Sequence, residues 1–119
     1  MCIRDRAQVS QDLRAVLLIA YDADYPEPLY RARPIPDGLG VALVIGPQPE
    51  TGALARIQIA LTRDGVTSLA DPDLEGLRSA IPAARSLSLL HPLALREPGR
   101  AVLDYLDELR LAVEVRPWP

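Results

Sequence analysis

Residues 15–21, "AVLLIAY", and residues 39–46, "LGVALVIG", decide how this chain is expected to fold. Both are apolar at odd and even positions alike. Successive side chains of a strand point to opposite faces, so a half-covered strand alternates apolar and polar residues. A run without alternation predicts a strand covered on both sides, as in α/β folds. The two segments are therefore read as central strands buried on both faces. Between them lie Pro26, Pro28, Pro34 and Pro36, which exclude a long helix over residues 22–38.

The segments that follow carry clearer periods. Residues 53–63, "ALARIQIALTR", alternate: Ala55, Ile57, Ile59 and Leu61 share one face, while Arg56, Gln58, Ala60 and Thr62 share the other. This predicts a half-exposed strand. Residues 71–81, "DPDLEGLRSAI", open like a helix. Asp71 is placed to cap it, Pro72 suits its first turn, and Asp73 and Glu75 sit at its positive end. Leu74, Leu77, Arg78 and Ile81 form its inner stripe. In residues 84–95, Pro92 limits any helix. Val102, Leu103, Leu106 and Leu109 share one helical face, which predicts a helix over residues 97–109. Residues 109–118 alternate again and predict a last strand. Ala7–Leu13 reads as the tail of a helix. The predicted order is β-β-β-α-(α)-α-β. That is an α/β domain with one mixed sheet and packed helices, not a doubly wound nucleotide-binding unit. Short connections between the first three strands favour antiparallel neighbours.

Composition narrows the function classes. The chain has 119 residues, 49 % of them hydrophobic, and a formal net charge of −3. That balance gives no electrostatic footprint for nucleic acid. The longest apolar run, Ala15–Tyr21, is too short to span a bilayer as a helix. Every basic residue is Arg, which fits a bacterial source rich in G and C. The absence of Lys removes Schiff-base chemistry and the phosphate-loop lysine. The lone Cys2 permits no intrachain disulfide, and a cytoplasmic setting is the expectation. Cys2 also lies within "MCIRDR", residues 1–6, a string that resembles a translated sequencing-adapter read. On that reading the biological sequence is 7–119, a C-terminal fragment of a larger domain.

Candidate chemistry is sparse. Asp22, Asp24 and Glu27 could offer oxygens to a hard cation, but they lack the spacing of a calcium loop, and Asp and Pro are ordinary turn residues. The glycines of "GLG", residues 38–40, precede a strand, whereas a phosphate cradle follows one. They are read as permitting close backbone approach. His91, the only histidine, has no evident nucleophile to serve and is read as capping or packing at a helix end. Trp118, Tyr21, Tyr25, Tyr30 and Tyr105 are read as packing at the core margin. No catalytic, cofactor-binding or metal-binding residue is assigned, and no cofactor is expected.

Residues 14–47, "RAVLLIAYDADYPEPLYRARPIPDGLGVALVIGP", carry a resemblance. An apolar strand, Val16–Tyr21, runs into Asp22 and the turn Pro26-Glu27-Pro28, then into the strand Val41–Ile45. This resembles the C-terminal part of the β-ketoacyl-synthase-like N-terminal domain. That family includes the stand-alone chain-length-factor proteins of bacterial aryl-polyene and related fatty-acid-like or polyketide-type pathways. "HPLALREPGRAVLDYLDELRLAVEVRPW" is similar to that family's ending. The resemblance implies a partial thiolase-like fold, about the C-terminal half of the domain. It also implies a ketosynthase partner subunit and an acyl carrier protein. The fragment itself is expected to be non-catalytic, since no catalytic motif of that superfamily falls within it. One alternative is a fragment of an active 3-oxoacyl-ACP synthase, an acyltransferase-class enzyme with its nucleophile upstream. A second is an unrelated small α/β interaction module. Asp22 and the Pro-Glu-Pro turn carry over as pattern positions without assigned chemistry.

Overall fold

A computed structural model describes residues 14–49 and 51–119. The expected helix tail at 7–13 and Cys2 lie outside the described residues. Two small antiparallel sheets and a few helices make a mixed α/β fold. β1 (Val16–Asp22) and β2 (Leu39–Ile45) form a two-stranded ribbon. β3 (Ala55–Thr62), β4 (Gly99–Leu106) and β5 (Leu109–Pro117) form a second sheet in the order β3-β5-β4. A single turn, α1 (Leu29–Ala32), interrupts the proline-rich connection. α2 (Pro72–Ala80), a 3₁₀ helix (Pro82–Ser86) and α3 (Leu87–Leu95) link β3 to β4.

The expectation of one mixed sheet is therefore corrected. β2 and β3 are consecutive yet belong to different sheets. The ribbon register pairs Val16 with Ile45 and Asp22 with Leu39, as the antiparallel expectation for the first pair required.

The expected helix over 97–109 is also corrected: it is β4 and its turn into β5. Leucine spacing there satisfies both a helix and a strand. Ala101, Leu103 and Tyr105 project to one face at period two; Ala101 and Leu103 are buried there, and Val102 is buried on the other face. Partnering decides the outcome. β5 alternates apart from Ala112, which is buried on the opposite face, and takes β4 as its neighbour, pairing Ala101 with Val113 and Leu103 with Leu111. The connection is the two-residue loop Asp107-Glu108, with Asp107 at φ 38°. Hairpin turns favour such positive φ values, usually with Gly. With no Gly in the loop, the turn leaves little trace in the sequence.

The core has two parts. Ile59, Leu89, Ala101, Leu103, Leu111, Val113 and Val115 form the larger, where α3 packs on the inner face of the three-stranded sheet. Ile35, Ile81 and Ala84 form the smaller, with Leu39 and Tyr25 against it. β2 bridges the two, through Leu43 to the first and Leu39 to the second.

β3 is half-exposed as its alternation predicts, with Arg56 and Gln58 outside. Leu61 departs from that pattern. It is 49 % exposed, near the end of an edge strand. The open side of β4 is partly closed by the preceding loop. Val102 donates to Thr67 Oγ1 at 2.8 Å and accepts from Thr67 N at 3.1 Å. Bonds of this kind blunt an edge that would otherwise invite pairing with another chain.

α2 begins as read. Asp71 Oδ1 accepts from Asp73 N at 2.9 Å and Leu74 N at 3.2 Å. α3 runs through Pro92 to Leu95, so the expected limit at Pro92 is corrected. The ring removes one helical donor and packs against the start of β4. Gly99, at the start of β4, comes so close that a Cβ there would lie 3.1 Å from Pro92 Cβ. His91 is exposed within α3 rather than at its end.

Candidate interaction surface

The unbroken apolar pattern of β1 and β2 is not burial on both faces. The expectation is corrected by the alternating exposure along both strands. Inward residues pack over the helices. Leu17, Ile19 and Tyr21 point outward from β1, and Val44 from β2, at 59, 59, 77 and 75 % exposure. The register makes them one patch: Leu17 faces Val44, Ile19 faces Ala42, and Tyr21 faces Gly40. No charge interrupts it from Val16 to Tyr21. β1 pairs only with β2, so its other edge has no strand neighbour among the described residues. The edge carries no Pro, and its one charge, Asp22, lies at its end and is turned to the 3₁₀ helix, so the apolar face from Val16 to Tyr21 has little of the usual protection against docking.

A shallow, largely open cleft lies between the end of β1 and the 3₁₀ helix. Ile19, Ala20, Tyr21 and Asp22 form one wall, and Pro82 and Ala83 of the 3₁₀ helix form the other, around about 410 Å³. A second, more enclosed hollow of about 190 Å³ adjoins it at Ala20, Pro82 and Ala83 and reaches Ser86, Leu103 and Tyr105. Arg85 and Asp104 stand at its rim, 3.8 Å apart.

Asp22 fixes the geometry of this cleft. Its Oδ2 accepts the backbone N–H of Ala83, across 61 residues of chain. That N–H lies in the first turn of the 3₁₀ helix, where no intrahelical acceptor is available. The carboxylate thus acts as a cap supplied from the end of β1. Asp22→Ala is expected to cost about 1–2 kcal/mol, read as a lower urea midpoint. Asp22→Asn, which keeps an acceptor oxygen, should recover most of it. Equal losses in the two variants would refute the capping role.

The remaining candidates are dispersed. Glu27 pairs with Arg31 at 3.3 Å, on the surface. The Glu27–Pro28 peptide is cis. Among the described residues, no three His, Cys, Asp or Glu side chains converge as a metal site. Gly38 and Gly40 approach the end of β1 at ordinary contact distance: their Cβ positions would lie 3.5 Å from Asp22 O and 3.7 Å from Tyr21 Cβ. Tyr25 and Tyr105 pack at the core margin as read, whereas Tyr21, on the open face, and Tyr30, in α1, are exposed, which corrects the reading for those two. Trp118 lies under the Arg56 guanidinium, 5.4 Å from ring centroid to Cζ. His91 takes part in none of the side-chain hydrogen bonds found among the described residues.

Two charged networks stiffen the scaffold instead. On the outer face of the larger sheet, Arg100 joins Asp64 at 2.6 Å and Glu114 at 3.1 Å. Hydrogen bonds from Arg100 and Thr62 hold the Asp64 carboxyl below its ordinary pKa. Glu75 in α2 takes both arms of Arg78 and the N–H of Leu69. The Arg78 hydrogen bonds, then the Leu69 bond, pull the Glu75 pKa from 4.5 down to about 2. Arg78 thus enters an apolar stripe as half of a pair. A lowered folded pKa means that the unfolded chain binds more protons in this range. The contribution of Glu75 is complete above pH 4.5 and disappears as pH falls towards 2. In acid titrations of stability, Glu75→Gln should flatten the loss between those limits. An unchanged profile would show that the pair does not contribute.

Neither a family model, nor a curated protein, nor a solved structure matches the chain. No helix among the described residues is long and apolar enough to cross a membrane.

Proposed function

We propose that this chain is a non-catalytic docking subunit, and that the outer face of the β1–β2 ribbon is its contact surface. The observation that carries the reading is the aligned set Leu17, Ile19, Tyr21 and Val44, each more than half exposed beside an open strand edge. Among the described residues, chemistry-bearing side chains gather nowhere in a comparable way. Asp22, the most distinctive polar residue of the first strand, is occupied by a backbone N–H.

The resemblance gives the proposal its specific form. The stretch that carries it, residues 14–47, spans the whole ribbon. We therefore propose a chain-length-factor-like role, with a thiolase-like parent, a cytoplasmic setting and a ketosynthase as the partner that meets the ribbon. An acyl carrier protein would deliver the substrate to the partner. The test is co-expression with a ketosynthase of an aryl-polyene-type pathway. A one-to-one complex on size-exclusion is expected, lost in the double variant Ile19→Lys, Val44→Glu. A folded chain that forms no complex, or a complex indifferent to the double variant, would overturn the proposal.

A further inference from the structure

We draw no further inference here: the strongest candidate, the pair Arg56 and Arg116 facing each other across β3 and β5 beside Trp118 on the outer sheet face, carries nothing because Arg56 is already stacked on that ring and no second observation there points to a ligand.

Discussion

Leu111→Ala is expected to lower the unfolding free energy by about 3–4 kcal/mol. Leu111 is fully buried at the middle of the larger sheet. Its register partners are Leu61 on β3 and Leu103 on β4. Truncation removes three buried carbons and leaves a cavity among Leu89, Leu103 and Val113 that flanking strands cannot close. Domains of ordinary stability hold only about 5–15 kcal/mol, so the variant should melt far below the parent. Leu61→Ala is the matched control. It removes the same atoms from the residue directly opposite, but that side chain is half outside. The expected cost is about 1 kcal/mol. Urea unfolding of both variants decides the matter, and equal losses would mean that the core is not centred on β5.

That contrast shows which parts of the fold were legible. β3 and β5 alternate, and a period of two on one buried face is a direct record of the pleat. Asp71 and Pro72 marked α2 because capping is local chemistry, complete within a few residues. β4 was not legible. Its leucines satisfy two periods, and the deciding term is the backbone pairing with β5, which no local pattern contains. Asp107 adds to the difficulty by taking a positive φ without the Gly that usually announces it.

The exposed outer face of the ribbon is hidden from the sequence for a related reason. An apolar residue records that water is unfavourable at that position, not which surface removes it. Leu17 and Leu18 are the same residue type, and only the packing of the helices on one side distinguishes them. The cap on the 3₁₀ helix left no signal either. Asp22 and Ala83 are distant in sequence, and an Asp after a strand looks like any turn residue.

The second large effect concerns association of the chain alone. Burying a large apolar side chain is worth about 1.5–3 kcal/mol. Leu17, Ile19, Tyr21 and Val44 have each realised less than half of that. Packing two such faces together therefore recovers at most about 8–16 kcal/mol, against an association cost of about 4–15 kcal/mol. The balance predicts reversible, concentration-dependent self-association rather than a tight dimer. A shape-matched partner that also pairs with the β1 edge would bind more tightly. The double variant Ile19→Lys, Val44→Glu places charges on both strands of the face. It should weaken self-association at least roughly tenfold, a change of about 1.4 kcal/mol. It should also reduce binding of an apolar dye. Its thermal midpoint should stay close to the parent's, because the replaced side chains point away from both core clusters. Sedimentation across a concentration series, with a melt of each sample, separates the outcomes. A parent that remains monomeric throughout, binds no dye and melts in one sharp step would show that the ribbon face does not drive association.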